Sequence, residues 1–293
     1  MIRENQTYRI MKDKAFFYFI FFLCFLALIP LLSLIFKLVK NGVQYLIKPG
    51  FFFNSEPAQM DIFLAELAGE SIPDGISNGM MGSVYILLIA LVISIPIGVM
   101  SGVFFYSKKK HSFIRTFLYA NNIILGIPAI ITGMIVYLWI VRSLHSYSAL
   151  AGGMAIAIII FPYISRSTFQ SLTKLPIGLE ESSIALGADY SQTIFKIMIP
   201  STGKEIGGYI LHAASRGLGK TAPLVFTTLG APTINWHLNK PTSSFSLQIW
   251  TFFSNPYMIH FMWSTALLLF LVILLLHVGA KLLVGDKKIY NNG

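Results

Sequence analysis

Six long apolar segments constrain the fold of this sequence more than any other feature. A transmembrane helix needs about 20 mostly apolar residues, and the stretches that approach or exceed this length are 16–38, 80–105, 117–141, 149–165, 206–229 and 259–284. Charged residues make up only 12% of the chain, against about 25% in an ordinary soluble domain. We therefore predict an all-α polytopic membrane protein with six transmembrane helices.

The distribution of Lys and Arg predicts the orientation of the chain. Four lie in the tail 1–15, four follow the second segment and four lie in 166–204, whereas the intervening loops hold few. Such basic loops face the cytoplasm, and because they flank apolar segments, the net charge of +10 does not indicate a nucleic-acid partner. We expect a cytoplasmic tail 1–15, a first helix 16–38, an extracytoplasmic loop 39–79, a five-helix core 80–285 and a cytoplasmic tail 286–293.

Catalytic and metal-binding patterns are missing from the sequence. The single cysteine, Cys24, lies in the first apolar segment and the six histidines are scattered, so we predict neither a disulfide nor a metal cluster. The stretch GLGKT at 217–221 resembles the end of a phosphate-binding Walker A loop, but Ala214 stands where that motif needs glycine. We predict a non-catalytic chain with no cofactor of its own.

The two larger loops on the predicted outer side differ in character. The loop 39–79 is acidic and contains a candidate amphipathic helix at 61–67, with a solvated connector as the alternative. The loop 231–258 combines three prolines with two tryptophans. Tryptophan is enriched where membrane meets water, so we expect a structured interfacial loop.

The cytoplasmic loop 166–204 contains an amphipathic stretch, EESSIALGADYSQTIFKIMIPS at 180–201. Residues 179–186 can form a short helix, and Gly187 suits the left-handed position that ends one. Asp189 or Ser191 can cap a second helix, which we expect Pro200 to end before the fifth apolar segment. The prediction is two short helices meeting at a sharp bend, and a plain interfacial linker is the alternative.

This stretch resembles the EAA loop of ABC importer permeases, which reads Glu-Ala-Ala, three residues, Gly, nine residues and Ile-x-Leu-Pro. Two serines replace the alanines here and an isoleucine replaces the leucine. The resemblance implies the type I, MetI-like permease fold and coupling to a dimer of separate ATPase subunits, which bind the ATP and Mg. The coupling candidates are Glu181, Ser182, Ser183, Gly187, Ile197 and Pro200.

Further stretches resemble PstA-type permease subunits of phosphate importers. They are RSTFQSLTKLPIGLEESSIALGA at 166–188, SRGLGKTAPLVFTTLG at 215–230, SSFSLQIWTFFSNPY at 243–257 and LGIPAIITG at 125–133. The resemblance implies a phosphate permease of a prokaryotic inner membrane, with a PstC-type second permease, a PstB-type ATPase dimer and an extracytoplasmic PstS-type phosphate-binding protein. The alternatives are an importer of another oxyanion, such as molybdate or sulfate, and an ATP-independent channel or secondary transporter.

Two cations, Arg216 and Lys220, lie within the fifth apolar segment, four residues apart and so on one helix face. A charge at bilayer depth costs roughly 2.5–3.5 kcal/mol and is usually functional, and the planar guanidinium fork matches phosphate oxygens. With Thr221 and Asn122, these are the candidates for the substrate path. The alternatives are an ion pair of Arg216 with a neighbouring subunit and interhelical hydrogen bonding for Asn122. PstA-type permeases have Glu at the position of Lys220.

Overall fold

The computed structural model describes residues 2–57, 59–69 and 75–285, and this part of the chain is almost entirely helical. The only β pairing among these residues is an isolated bridge of Leu229 with Thr242. Two π-helical turns, Tyr137–Val141 and Thr193–Met198, and a 3₁₀ turn, Pro256–Met258, join neighbouring helices. The predicted tail 286–293 lies outside the described residues. The α-helices are α1 (Ile2–Leu46), α2 (Pro49–Phe53), α3 (Gln59–Ala68), α4 (Ser77–Ser107), α5 (Ser112–Gly126), α6 (Ala129–Val136), α7 (Arg142–Leu144), α8 (Ala149–Thr173), α9 (Ile177–Ala185), α10 (Tyr190–Gln192), α11 (Ile199–Leu218), α12 (Ala222–Thr227), α13 (Phe245–Phe253) and α14 (Ile259–Val284).

Within the described residues, four unbroken spans are long and apolar enough to cross a membrane. A further apolar span is bent by 93° between Ser112–Gly126 and Ala129–Leu144. These five spans correspond to the first, second, fourth, sixth and third predicted segments, and they confirm the all-α membrane fold class. The four unbroken spans are Arg9–Leu46, Ser77–Ser107, Ala149–Thr173 and Pro256–Val284.

The fifth predicted segment, 206–229, is two helices rather than one. Helix α11 ends at Leu218, Gly219 follows, and α12 begins at Ala222 with Pro223 in its first turn. Glycine has a low helix propensity, and proline is tolerated at the start of a helix because its missing N–H would have no partner there. The chain therefore breaks close to Lys220, and neither half passes by itself as an apolar span.

Proline also explains the bend in the third segment. Ile127, between α5 and α6, has φ −65° and ψ 127°, the extended conformation that a following proline, here Pro128, imposes. Pro96 has a different outcome, because α4 continues unbroken through it. The third segment therefore changes direction partway along its length, and the residues at its break line the cavity described below.

Helix α8 lies at the centre of the bundle, packed along α4 and against α11. Small residues make the close approach possible, since a Cβ atom added at Gly153 would lie 2.4 Å from the side chain of Ile89. Close packing of small residues is a main source of helix association within a membrane. Fully buried side chains of this core include Ala90, Ile156, Ile160 and Ile164.

Among the side chains of helix α1 that the structure describes, only those near its C-terminal end pack against the bundle. Gly42 packs against Leu267 of α14, whereas every side chain from residue 9 to residue 34 is exposed. Most of these exposed side chains are apolar. An apolar helix surface of this length suits lipid or another membrane protein rather than water.

The predicted helix at 61–67 is confirmed by α3, and a polar cluster beside it joins the two predicted outer loops. Asn78, in the first turn of α4, donates to the carbonyl oxygen of Ala231 at 2.6 Å. The side-chain amide of Gln248 donates to Asn78 Oδ1 at 2.8 Å and to Glu56 Oε2 at 3.2 Å. The cluster therefore holds the loop 39–79 and the loop 231–258 on the same helix end.

The polar cluster predicts a pH-dependent stability. Burial raises the pKa of the Glu56 carboxyl, and hydrogen bonds from Gln248 and Asn78 only partly oppose this. Because the folded protein binds this proton more tightly than the unfolded chain, the contribution of Glu56 to stability is lost as pH rises through the raised pKa. Glu56→Gln should therefore reduce the fall in thermal midpoint between about pH 5 and pH 8.

Thermal unfolding of the detergent-solubilised protein measures this effect. The same substitution at the exposed Glu181 is the matched control and should leave the pH dependence unchanged. An identical pH profile for Glu56→Gln and the native protein would contradict the assigned role of the buried carboxyl.

Candidate functional site

Within the loop 166–204, α8 extends to Thr173 and α9 begins after Pro176. Glu180 in its first turn accepts a hydrogen bond from Tyr106 of α4 at 2.7 Å, so α9 is tied to a membrane helix. Glu181 is exposed, and it forms no hydrogen bond or ion pair with any residue that the structure describes. The exposed Ser182 donates its hydroxyl to the carbonyl oxygen of Gly178. The Glu181–Ser182 surface of α9 is therefore accessible to a partner.

The bend after α9 contains the left-handed glycine and the helix cap that the sequence predicts. Gly187 has φ +87°, a left-handed conformation that favours glycine. Asp189 caps the next helix, since its carboxylate accepts the backbone N–H of Gln192 at 2.7 Å. Across the bend, the hydroxyl oxygens of Ser183 and Thr193 lie 2.8 Å apart and are buried. These contacts hold the two halves of the loop at a defined angle.

Our prediction that Pro200 ends the second helix is wrong. The helix continues from Tyr190 through the π turn Thr193–Met198 into α11, where Pro200 lies in the first turn. A π turn pairs residues five apart, so a proline directly after it need not remove an i→i+4 bond. The second half of the loop and α11 therefore form one continuous rod up to Leu218.

The loop exposes apolar side chains on both sides of its bend. Leu186 is 89% exposed. Ile197 is half-buried, whereas Ile194 and Met198 pack into a core with Tyr106 of α4. One face of the second half is thus anchored to the bundle and another is open. The exposed apolar side chains of the loop are Ile177, Ile184, Leu186, Tyr190 and Phe195.

An ion pair closes the base of the loop. Lys174 follows α8, and its Nζ atom lies 2.6 Å from Oε1 of Glu205 on α11. The hydrogen bond from this ammonium to the carboxylate raises the pKa of Lys174. Sequence reasoning missed the pair because the partners are 31 residues apart and only the packing of α8 against α11 brings them together.

A cavity of about 470 Å³ lies at the end of α11 and brings Arg216 and Lys220 together. The guanidinium carbon of Arg216 lies 4.3 Å from the ring centroid of Tyr163 on α8, a cation–π distance. Residues of α5, α6 and α8 supply much of the remaining wall, and no Asp or Glu is among the lining residues. The cavity is therefore electropositive and open to a small anion.

Two further polar residues line this cavity and were missed from the sequence. Thr132 of α6 is 4% exposed, and its hydroxyl forms no hydrogen bond with any described residue. His277 of α14 makes a T-shaped contact with His212, with ring centroids 4.7 Å apart. Neither residue has a local sequence signal, because only the bend at Pro128 and the packing of α14 on α11 bring them to Arg216.

The other two path candidates lie outside the lining of this cavity. Asn122 accepts a hydrogen bond from the guanidinium of Arg166 at 3.1 Å. Its neighbour Asn121 is buried and donates to the carbonyl oxygen of Pro162 at 3.1 Å, which is an interhelical bond. Thr221 directly precedes α12 and donates to the carbonyl oxygen of Ser246 at 3.4 Å. Within this chain, the structure brings together the two cations but not these two residues.

Comparison with known proteins identifies the family. The sequence profile described as "Binding-protein-dependent transport system inner membrane component" matches residues 94–287, which is more than half of the chain. The chain belongs to this family. The matched part of the permease contains the whole loop 166–204 and every residue that lines the Arg216 cavity.

The permease is similar to curated proteins named "Phosphate transport system permease protein PstA". It is 28% identical to that of Haemophilus influenzae, covering 87% of each chain, and 32% identical to that of Xylella fastidiosa (strain Temecula1), covering 74% of the permease and 77% of the relative. A probable PstA of Methanocaldococcus jannaschii is 28% identical over 97% of each chain. The resemblance to PstA-type permeases is thereby confirmed.

Among solved structures, the permease superposes on a chain of the inward-facing MetNI methionine ABC transporter. The TM-score is 0.53 at 20% identity, and the match covers 71% of the permease and 94% of the other chain. At 20% identity, the superposition shows that the two chains share a fold. The predicted ABC importer type I permease fold is confirmed.

Proposed function

We propose that this permease is a transmembrane subunit of an ATP-driven importer that moves inorganic phosphate across the inner membrane of a prokaryote. The cavity with Arg216 and Lys220 carries the proposal. Two cations at this depth, with no carboxylate in the lining, suit a small oxyanion, and the guanidinium fork matches phosphate oxygens. Similarity to proteins named as phosphate transport permeases favours phosphate over molybdate or sulfate.

The loop 166–204 couples this cavity to ATP hydrolysis on other subunits. Glu181 and Ser182 form the docking surface, while Ser183 and Gly187 hold the bend. Ile197 and Pro200 belong to the rod that continues into α11. Because rigid helices transmit displacement over distance, a movement imposed on the loop by the ATPase reaches the cavity along a single element.

Similarity to proteins named PstA supports the expected partners. A PstB-type ATPase dimer binds the ATP and Mg and docks on the loop 166–204 from the cytoplasm, where both termini of the permease also lie. A PstC-type permease completes the membrane path, and a PstS-type binding protein delivers phosphate from outside. The permease contributes binding and movement, and covalent chemistry belongs to the ATPase.

Reconstitution tests the proposal directly. Proteoliposomes that contain all four components should accumulate labelled phosphate only when ATP is supplied, and omitting this permease should abolish uptake. Excess unlabelled phosphate should compete strongly and sulfate or molybdate weakly. Competition by molybdate or sulfate instead of phosphate would overturn the cargo, and uptake by the permease alone without ATP would overturn the importer.

Thr132 gives a more local prediction for the same cavity. Thr132 lines the cavity, and its hydroxyl has no partner among the described residues, so we expect it to donate to the bound anion. Because one hydrogen bond to a charged group is worth about 1.5–3 kcal/mol, Thr132→Val should raise the KM for phosphate by about tenfold or more. Steady-state uptake in the reconstituted system measures KM and maximal rate separately.

The controls for Thr132 separate hydrogen bonding from packing. Thr132→Ser keeps the hydroxyl and should retain most of the native KM. Thr173→Val removes a hydroxyl that is bonded to its own helix, at Phe169, and should leave the KM unchanged. An unchanged KM in Thr132→Val would remove Thr132 from the substrate site.

A further inference from the structure

A second cavity, of about 190 Å³, lies where α4 ends and α5 begins. Four basic or titratable residues line it: Lys109, Lys110, His111 and Arg115. The rest of the lining includes apolar side chains, namely Ile114 and Leu118 of α5 and Phe169 of α8. The cavity is therefore amphiphilic, since both cationic and apolar side chains line it.

The cations of this cavity are not neutralised by any residue that the structure describes. Lys110 and Arg115 are exposed, and neither forms an ion pair or hydrogen bond with any residue that the structure describes. No Asp or Glu lines the cavity. The N-terminus of α5, at Ser112, adds the positive end of a 15-residue helix. The local charge thus calls for an external anion.

The position of the cavity selects the chemistry of that anion. The apolar span Ser77–Ser107 ends immediately before it, and the bent span begins at Ser112. The cavity therefore lies at the level where lipid headgroups meet acyl chains. Basic pockets between transmembrane helices at this level suit anionic phospholipid headgroups, and Lys and Arg form strong charge-assisted hydrogen bonds with phosphate oxygens.

We propose that this cavity binds the phosphate group of an anionic phospholipid, such as phosphatidylglycerol. Lys110 and Arg115 contact the phosphate, and the start of an acyl chain lies along Leu118 and Phe169. This cavity shares no lining residue with the cavity of Arg216 and Lys220, so lipid binding there does not depend on which solute is transported.

Two contacts connect the cavity to the loop 166–204. The ammonium of Lys109 lies 4.1 Å from the ring centroid of Tyr106, and the hydroxyl of Tyr106 donates to Glu180 of α9 at 2.7 Å. A lipid phosphate that attracts Lys109 therefore acts on the residue that anchors α9. Through these contacts, the lipid composition of the membrane can influence the loop 166–204.

Lipid binding to the full-length permease tests the proposal without any transport assay. The permease is placed in phosphatidylcholine nanodiscs that contain a small fraction of spin-labelled phosphatidylglycerol, and the motionally restricted fraction is measured. The double variant Lys110→Gln/Arg115→Gln is compared with Lys196→Gln/Lys204→Gln. Both pairs are exposed cations and both variants lose the same net charge, but the second pair lies outside the cavity.

We expect the cavity variant alone to weaken phosphatidylglycerol binding, by about tenfold or more. Equal weakening in both variants would mean diffuse charge attraction and would overturn the site. Titration with inorganic phosphate distinguishes the other source of the same chemistry. If inorganic phosphate at millimolar concentration binds through Lys110 and Arg115 and the lipid does not, the lipid assignment is overturned.

Discussion

Replacing Gly187 with valine should abolish ATP-driven phosphate uptake while leaving the permease in the membrane. Gly187 has φ +87° and nothing within 4 Å of the position of an added Cβ, so the expected damage comes from the backbone alone. A left-handed conformation costs an ordinary L-residue roughly 1–2 kcal/mol, and a β-branched residue adopts it least readily. The variant should open the bend between α9 and the second half of the loop.

The expected result is a fall in uptake of at least about tenfold, with ATP hydrolysis in the same proteoliposomes no longer coupled to uptake. Gly187→Asn should retain more activity, because asparagine tolerates the left-handed region. Gly203→Val is the matched control, since Gly203 is exposed in α11 with open space around it and an ordinary φ. ATP-driven uptake at the native rate in Gly187→Val would show that coupling to the ATPase does not depend on the angle of the bend.

Replacing Arg216 with glutamine should remove most phosphate transport while leaving assembly with the ATPase intact. The guanidinium lies against Tyr163 and opens into the cavity that Lys220 also lines. A hydrogen bond to a charged group contributes about 1.5–3 kcal/mol, so uptake at subsaturating phosphate should fall by about tenfold to a hundredfold. Uptake and ATPase activity are measured in the same proteoliposomes.

Two further variants test whether the loss comes from the guanidinium group at this position. Arg216→Lys keeps the charge but loses the planar fork, and it should recover only part of the uptake. Arg142→Gln removes an exposed arginine that does not line the cavity and should leave uptake unchanged. If Arg216→Gln transports normally but the complex falls apart, the alternative stands that Arg216 holds the bundle to a neighbouring subunit.

Local sequence signals predicted the bend of the loop 166–204 as far as the Asp189 cap. The left-handed Gly187 and the Asp189 cap each depend on a single residue's conformational or hydrogen-bonding preference, so both could be predicted without tertiary information. The effect of Pro200 on the helix could not be predicted, because whether a proline ends a helix depends on the hydrogen-bonding pattern of the preceding turn. The π turn Thr193–Met198 leaves no recognisable trace in composition.

For the cavity, less could be predicted from the sequence and more depended on the tertiary structure. The cations Arg216 and Lys220 were candidates from the sequence, because charges are rare in an apolar segment. Thr132 and His277 were not candidates, since polar residues of their kind are common. They come close to Arg216 only because three helices pack together. Asn122 was grouped with the path by its place in the third segment, whereas its side chain accepts a hydrogen bond from Arg166.

The sequence by itself determined the membrane class of the permease, the helical character of its spans and the bend of the loop 166–204. Hydropathy, the pattern of basic residues and the special conformations of glycine and proline act over a few neighbouring residues, so they can be read in order along the chain. Only the tertiary structure decided that the fifth segment breaks beside Lys220, that the loop and α11 form one rod, and which residues surround the two cations. Those features depend on contacts between residues far apart in sequence, and helix packing alone brings such residues together.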